Sequence, residues 1–453
     1  MLLGRTTELG YLNNYYDRDG SQILIVYGQK HIGKTALVKE FMKDRPGYYY
    51  LASACSEREQ AYQWGRQLTH DGYVVEKFPT FQEIFEKLAH RVTGKKVLVI
   101  DEFQNIVRAS DAFMKDLVTF VHSQWNRDDV MVILVSSSIG WIENSMITRI
   151  GEAAYELSGL LKIKEMPFAD LVERFPNFRI EECVEAYAIL GGIPGLWNQF
   201  DDRLTIQQNI CRNILDCNSF LFEEGERILT EQLREPGVYN TIMASIAAGN
   251  YKLNDLHQHT EFSRAKISVY LKNLIELELV EKVFSYDTAG KENTQKGIYR
   301  ISHPFVDFYY TYMYPHLSDL QMLSVGEFYN HYIMRDFRRY VSGYFKQVCR
   351  QHLARLGDRH RLPINCGTIG EWIGKVGSLD IIAQDEEGRT LIGLCNWEKP
   401  MVYEDYENLL LYAKKAKISA DYIYMYTAFR FDEKLNLEAK VKSNLKLVQI
   451  SDL

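Results

Sequence analysis

An eight-residue stretch near the N-terminus, residues 28–35, has the residue types and spacing of a phosphate-binding loop. It fits the pattern G-x-x-x-x-G-K-[ST], in which glycines let backbone N–H groups turn towards phosphate oxygens. Lys34 would reach the β- and γ-phosphates, and the Thr35 hydroxyl would ligate Mg²⁺. A helix that begins at Lys34 would direct the positive end of its dipole at the same anion. The stretch predicts a site for ATP with Mg²⁺ on the following residues: Gly28, Gln29, Lys30, His31, Ile32, Gly33, Lys34, Thr35 and Ala36.

Two adjacent acids follow a second apolar segment. Residues 96–100 are mostly apolar, and Asp101 and Glu102 come directly after them. Ligands of parallel sheets bind at the carboxyl ends of the strands. We therefore expect Asp101 to hold the Mg²⁺ through water, and Glu102 to orient and deprotonate the attacking water. The alternative is that these acids mark only the point where the chain reaches the surface.

A third apolar segment, residues 130–135, ends in three consecutive serines. Ser137 is the one that we expect to sense the γ-phosphate, and its alternative role is to cap the segment that follows. With the apolar runs 22–27 and 48–51, these segments alternate with amphipathic helical patterns. Continuous apolar runs are typical of parallel strands buried on both faces. The sequence therefore predicts an α/β fold with an open parallel sheet.

Composition excludes several classes of protein. The chain has 453 residues and a formal net charge of -7, so any nucleic-acid surface must be local. Its longest apolar runs are the length of a strand, which argues against a membrane span. Residues 1–5 lack the apolar core of a signal peptide. Seven cysteines with no Cys-x-x-Cys pair favour reduced thiols and a cytoplasmic protein.

Beyond residue 164 the pattern changes three times. Helical patterns follow first, and Gly191-Gly192-Ile193-Pro194 would end one of these helices. Three short helices at 238–248, 253–259 and 263–277 come next, and then two strands at 280–286 and 297–301 that a polar loop joins. This is the outline of a winged helix-turn-helix. The predicted regions are 1–164 (P-loop core), 165–235 (helical lid), 236–302 (winged helix), 303–330 (helical connector) and 331–453 (a final α/β domain).

These motifs resemble prokaryotic AAA+-like P-loop ATPases that are close to the signal-transducing, multidomain NTPases. In that family a P-loop core is joined to a helical lid, a winged helix and a C-terminal domain similar to PD-(D/E)XK restriction nucleases. The resemblance covers nearly the whole chain and includes Gly-Arg-x-x-Glu-Leu at 4–9 and Gly-Gly-x-Pro at 191–194. It implies that Arg5 lies near the adenine and that Pro194 meets the nucleotide. The start of a surface helix and a helix stop are the alternative readings of these two motifs.

One position departs from the family. Relatives often carry Leu-Tyr-Gly-Arg after the sensor strand, and that arginine is a candidate for contact with the transition state. Here the matching residues are Leu157-Ser158-Gly159-Leu160. An arginine in phosphoryl transfer can be worth a factor of ~10³–10⁵. Slow hydrolysis is therefore expected unless another arginine, such as the nearby Arg149, substitutes.

The winged helix has two possible roles. A DNA-binding version would place the third helix in the major groove. Contact would be made through residues 263–272, by Ser263, Arg264, Lys266 and Lys272. Residues 252–300 nevertheless hold eight Lys or Arg and seven Asp or Glu, a weak footprint for phosphate binding. Packing or a protein partner is the other reading. The aromatic run 305–314 suits core packing between domains better than base stacking.

The C-terminal region resembles a nuclease that has lost its site. An active core of that type needs a helix acid, a strand Asp and Glu-x-Lys on the next strand, and the acids position Mg²⁺. Asp380 is kept, but Leu394 and Asn396 stand in the Glu-x-Lys positions and Lys346 stands in the helix position. We therefore expect no nuclease activity and a structural or binding role.

Taken together, the sequence predicts an ATP-dependent switch that hydrolyses ATP slowly or on stimulation. Glu102, Lys34 and Ser137 would be catalytic, and Thr35 and Asp101 would hold the metal. The alternative is a nucleotide-gated DNA- or protein-binding module that does not hydrolyse ATP. The expected partners are ATP and ADP, with DNA, a protein or further copies of the chain as additional candidates.

Overall fold

The computed structural model describes residues 3–89, 94–123, 129–231, 233–286, 297–374 and 377–453. The chain divides into two compact units. The first consists of Met1–Glu165 with Ile193–Gly195, and the second of Met166–Gly192 with Leu196–Leu453. The polar loop predicted at 287–296 lies outside the described residues. Over the ranges that are described, no helix is both long and apolar enough to cross a lipid bilayer.

The first unit is built on a parallel sheet. Its strands, within the described ranges, are β1 (Gln22–Tyr27), β2 (Gly47–Leu51), β3 (Lys96–Asp101), β4 (Val130–Ser136) and β5 (Gly159–Lys162). They lie in the order β2-β3-β4-β1-β5, and every neighbouring pair is parallel. All residues of β3 and β4 are buried, as their continuous apolar sequences predict. The prediction of an α/β parallel sheet is confirmed. The edge strand β5 was not predicted as a strand.

Helices surround this sheet because their apolar residues recur at helical spacing. In Phe81–Ala89 the buried side chains are Phe81, Ile84, Phe85 and Leu88. They join one apolar core with Ile100, Phe113 and Leu134. The helices of the first unit are Thr6–Tyr16, Lys34–Met42, Glu57–His70, Phe81–Ala89, Gln104–Ala109, Phe113–Ser123, Ile139–Asn144 and Met146–Ile150, with a 3₁₀ turn at Gly151–Glu156.

Strand register brings the chemically interesting residues to one edge of the sheet. Tyr27, the last residue of β1, pairs with Ser136 of β4. Asp101, the last residue of β3, pairs with Val135. Residue 28, residue 102 and residue 137 therefore leave neighbouring strands at the same carboxyl edge, where ligands of parallel sheets bind.

The second unit begins with helices. These are Phe168–Arg174, Ile180–Leu190, Pro194–Trp197 (whose first two residues belong to the first unit), Ile206–Ile210, Phe220–Thr230, Pro236–Ala247, Leu253–Thr260, Arg264–Glu276, Pro304–Phe308, Leu317–Met322, Val325–Phe328, Phe337–Asp358, Tyr403–Lys415 and Glu433–Val441. Wider π-turns continue three of them at Cys211–Leu215, Tyr309–Met313 and Tyr329–Ile333, and 3₁₀ turns lie at Tyr314–His316 and Ile450–Asp452.

Three features of this unit follow the sequence closely. The Ser263 hydroxyl accepts a hydrogen bond of 3.2 Å from the Lys266 N–H and caps Arg264–Glu276. The two strands after that helix, β6 (Val280–Val283) and β7 (Ile298–Ile301), pair antiparallel. In the aromatic run 305–314 the side chains of Phe305, Phe308, Tyr309, Tyr310 and Tyr312 are buried, as predicted for core packing.

The chain ends in a second, separate α/β sheet. Its described strands are β8 (Ile369–Gly374), β9 (Gly377–Gln384), β10 (Thr390–Asn396), β11 (Tyr422–Thr427) and β12 (Leu445–Gln449), in the order β12-β11-β10-β9-β8. The β10–β11 and β11–β12 pairs are parallel, and the β8–β9 and β9–β10 pairs are antiparallel. β8 was not predicted as a strand.

Candidate nucleotide site

The loop at 28–35 connects β1 to the helix Lys34–Met42 and curls tightly at its tip. Gly33 has a φ of 99° and His31 a φ of 63°, both in the left-handed region. Glycine adopts this conformation without strain, so Gly33 suits the last position before the helix. Successive backbone N–H groups in such a turn form a concave anion site at the positive end of the helix dipole.

The Lys34 ammonium lies inside this loop. Lys34 is only 6% exposed. Its Nζ donates to the backbone oxygens of Gly28 (3.0 Å) and Gln29 (2.7 Å). Burial lowers the pKa of Lys34 to about 8, although the charges of Glu102 and Asp101 partly oppose that shift. A buried cation without a full counter-charge favours the arrival of an anion.

Asp101 is the centre of an oxygen cluster at the end of β3. It is 2% exposed, and its Oδ2 accepts from the Thr35 hydroxyl (2.9 Å) and the Tyr49 hydroxyl (2.7 Å). Its Oδ1 accepts from the Glu102 N–H at 2.9 Å. Carboxylate and hydroxyl oxygens are the ligands that Mg²⁺ prefers, and it takes only a few of them from the protein. The residues present therefore fit a magnesium site.

Glu102 and Ser137 lie together, as their strands predict. The Glu102 Oε2 accepts from the Ser137 hydroxyl at 2.8 Å and from the Ser137 N–H at 3.4 Å. The side-chain amide of Gln104 donates to the same oxygen. Glu102 itself has a φ of 53°, which is uncommon for a residue with a side chain. Such strain persists where surrounding structure enforces it, often at functional sites.

Two other predicted residues are connected to the loop, Arg5 directly and Pro194 through its neighbour Gly195. Arg5 is 4% exposed, and its guanidinium donates to the Ile32 backbone oxygen at 2.9 Å and to Glu8 at 2.7 Å. Next to Pro194, the Gly195 N–H donates to the His31 backbone oxygen at 2.9 Å. A Cβ atom at Gly195 would lie 2.7 Å from the His31 Cβ, so the close approach requires glycine.

The remaining predicted residues line the loop itself. Lys30 lies half-buried in the turn, and its charge helps to lower the pKa of Lys34. Ile32 is buried, whereas Ala36 is exposed on the first turn of the following helix. Tyr49 and Gln104 also contact the acids, and sequence reasoning missed both. The tyrosine run in β2 could have indicated a contact with Asp101 only if β2 had been known to lie beside β3.

Comparison with known proteins agrees with this geometry. Residues 2–200 match a family described as an ATPase domain predominantly from Archaea. This part of the chain is therefore similar to that ATPase family. Residues 309–417 of the same chain match a family of archaeal and bacterial proteins of unknown function. An uncharacterized protein of Methanocaldococcus jannaschii is 28% identical over 402 residues, which are 88% of each chain.

Similarity to solved structures extends over about two thirds of this chain. The Walker-type ATPase of Pyrococcus abyssi matches with a TM-score of 0.50 and 16% identity, over 68% of this chain and 96% of that one. The ORC2 protein of Aeropyrum pernix, solved as ADPNP–ADP complexes, gives a TM-score of 0.49 and 14% identity, over 71% and 95%. At 16% identity, the similarity to the Pyrococcus abyssi structure indicates a shared fold only.

The contacts of Arg149 are with residues outside the P-loop. Its guanidinium donates to the backbone oxygens of Val107 (3.2 Å) and Arg108 (3.4 Å). It also forms an ion pair of 2.7 Å with Asp111. These contacts tie Arg149 to the end of the helix Gln104–Ala109, where a cation complements the helix dipole. Leu160, at the family's arginine position, is exposed on β5.

Proposed function

We propose that the chain is a nucleotide-dependent switch that binds Mg·ATP and hydrolyses it slowly or on stimulation. The observation that carries the proposal is the contact chain at the carboxyl edge of the first sheet. The Thr35 hydroxyl donates to Asp101, and the Ser137 hydroxyl donates to Glu102, the next residue in the chain. Lys34, which is buried, belongs to the same site. Each group has the chemistry that phosphoryl transfer to water requires.

Each residue has a distinct task in this proposal. Lys34 exchanges its bonds to loop carbonyls for bonds to the β- and γ-phosphate oxygens. Thr35 and Asp101 hold Mg²⁺, which when bound neutralises charge on the phosphates. Glu102 accepts a proton from the attacking water. Ser137, which donates a hydrogen bond to that carboxylate, senses the γ-phosphate. Arg5 lies near the adenine and Pro194 meets the nucleotide, and hydrogen bonds to Ile32 and His31 connect their two segments to the loop.

We attribute slow ATP turnover to the absence of arginine at position 160, where relatives often carry one. Leucine at 160 cannot stabilise charge on the transferring phosphoryl group, and Arg149 is engaged with Asp111 and two backbone oxygens. We propose that an arginine supplied by a partner or by another copy of the chain raises the rate of ATP hydrolysis by a factor of up to ~10³–10⁵.

The switch itself would use the segment Ile193–Gly195. It belongs to the first unit, although the residues on both sides of it belong to the second. Gly195 is hydrogen-bonded to His31 of the P-loop. A change in the conformation of the loop on nucleotide binding would therefore move this segment. The finer division into a lid (165–235), a winged helix (236–302), a connector (303–330) and a nuclease-like domain (331–453) belongs to the same proposal.

The experiment compares ATP turnover and ATP binding in matched variants. Glu102→Gln keeps the shape of the side chain but removes the base, so we expect a loss of roughly 10²–10⁴ in turnover with ATP binding retained. Lys34→Ala should lose binding and turnover together. Glu86→Gln, an exposed glutamate in the same unit, serves as the control. Turnover in Glu102→Gln at the parent rate would refute the proposal.

For the partner we favour a protein that contacts the helix Arg264–Glu276. The Lys266 ammonium lies 4.4 Å from the centre of the Phe262 ring, and Lys272 lies 3.8 Å from Glu276. Both cations are thus engaged locally, whereas Val269 on the same helix is 60% exposed. A DNA duplex that binds this chain, and loses affinity when Lys266 and Lys272 are replaced by alanine, would favour DNA instead.

The C-terminal domain is proposed to have no nuclease activity. The Lys346 ammonium, at the position that requires an acid, forms an ion pair of 2.7 Å with Asp380. The other oxygen of Asp380 accepts from the Cys395 N–H at 3.0 Å. Both carboxylate oxygens are therefore engaged by donors. Metal-dependent cleavage of DNA that Asp380→Ala abolishes would refute this part.

A further inference from the structure

Glu102 is held by two side chains that approach one of its oxygens from different elements. Ser137 follows β4, and Gln104 begins the helix Gln104–Ala109 after β3. Their hydrogen bonds both end on the Glu102 Oε2. The Glu102 backbone is in the left-handed region at the same time. Both bonds engage the same carboxylate oxygen, and neither involves Oε1.

Gln104 makes this contact under unusual conditions. It is 4% exposed, and its Oε1 is buried without a hydrogen-bond partner among the described residues. A buried carbonyl that lacks a donor costs about 1–3 kcal/mol. Rotation of the amide by half a turn would not relieve it, because Oε1 would then face the Glu102 carboxylate. The orientation of the Gln104 amide is therefore set by Glu102.

From these contacts we infer that Gln104 is a positioning residue for ATP hydrolysis. Its amide fixes the Glu102 carboxylate so that Oε1 faces the attacking water. An apolar side chain of the same length would fill the same space without the unpaired carbonyl. The polar side chain is thus unfavourable for stability, and its one hydrogen bond in this site is to the proposed general base. The inference rests on the role proposed above for Glu102.

The test uses Gln104→Met, which keeps the length and removes the donor. We expect kcat to fall roughly 10- to 100-fold, the scale of a misplaced catalytic group. The Kd for Mg·ATP should change less than about twofold, and the melting temperature should stay the same or rise, because the buried Oε1 is gone. A residue with a purely structural role would instead lower the melting temperature.

A second pair of variants asks whether Gln104 acts through Glu102. In the background Glu102→Gln, the added change Gln104→Met should cause no further loss of kcat, since residues that act as a unit are not additive. Gln104→Glu should lower kcat as well, because it places two carboxylates together. Both single variants are checked for ATP binding, so a misfolded protein is recognised.

Three outcomes overturn the inference. The first is a parent-like kcat in Gln104→Met while Glu102→Gln is inactive, and the second is a fully additive loss in the double variant. The third is a lower melting temperature with a matching loss of ATP binding. If Glu102→Gln itself turns over ATP at the parent rate, the proposed function fails, and that result is distinct from the other three.

Discussion

The affinity of the P-loop for ATP should depend on pH through Lys34. Burial lowers the pKa of this lysine to about 8 before nucleotide binds. The triphosphate carries negative charge, which favours the ammonium form, so the pKa of Lys34 rises in the complex. Binding then takes up a proton at high pH. The affinity is fully present below about pH 7 and falls as the pH rises through about 8.

The size of the effect follows from the protonated fraction of the free protein. With a pKa of about 8, roughly three quarters of the Lys34 side chains are charged at about pH 7.5 and roughly one in eleven at about pH 9.0. The Kd for ATP should therefore rise about eightfold over this range, which is close to 1.2 kcal/mol. Phosphate groups lose their last proton near pH 6, so the ligand itself changes little in this range.

Calorimetry at several pH values measures both consequences. The Kd gives the affinity, and titrations in two buffers of different ionisation enthalpy give the number of protons taken up. Lys34→Met should bind more weakly and show no dependence on pH. Lys43→Met, an exposed lysine at the end of the same helix, should behave like the parent.

Two results would refute this reasoning. One is a constant Kd between about pH 7.5 and 9.0 in the parent protein. The other is the same pH dependence in Lys34→Met, which would assign the proton to another group. Either result would mean that the loop carbonyls of Gly28 and Gln29 hold the ammonium well enough to offset its burial.

Further predictions concern other contacts. Tyr49→Phe removes a donor to Asp101 and should raise the Mg²⁺ concentration for half-maximal turnover roughly 10- to 100-fold, whereas the exposed Tyr155→Phe should not. Burial raises the pKa of Asp307 to about 6. This group favours folding below about pH 4 and loses that contribution as the pH rises through about 6. Denaturant unfolding should thus show Asp307→Asn more stable than the parent near pH 7.5, by up to about 3 kcal/mol, and equal near pH 4. Lys346→Met leaves Asp380 without its cation and should cost about 2 kcal/mol. Adding Asp380→Asn should restore most of that loss.

Sequence patterns predicted the strands that are buried on both faces. β1, β3 and β4 are continuous apolar runs, and only a buried parallel strand explains such runs beside helical patterns. β5 and β8 were missed for a physical reason. Each lies at the edge of its sheet and contains glycine, and its burial is mixed. An edge strand with a solvated face has no strong apolar pattern to find.

The same division holds for the site. Lys34, Thr35, Asp101 and Glu102 belong to local motifs whose chemistry depends on spacing along the chain, so they could be named before the fold was known. Tyr49 could not, because its contact with Asp101 depends on β2 lying beside β3. The catalytic and metal-binding roles of all these residues stay predictions until they are tested.

Support for the P-loop comes from outside the loop as well as from within it. The backbone oxygens of His31 and Ile32 accept hydrogen bonds from Gly195 and Arg5, so the tip of the loop is held at two neighbouring residues by two distant parts of the chain. A nucleotide that draws the loop's N–H groups inward must strengthen or weaken these bonds. In the proposed switch, a change in loop geometry is transmitted to residue 195 through this hydrogen bond, and residue 196 belongs to the second unit. Because only glycine fits against His31, Gly195→Ala should uncouple the segment from the loop while Lys34, Thr35 and Asp101 stay intact.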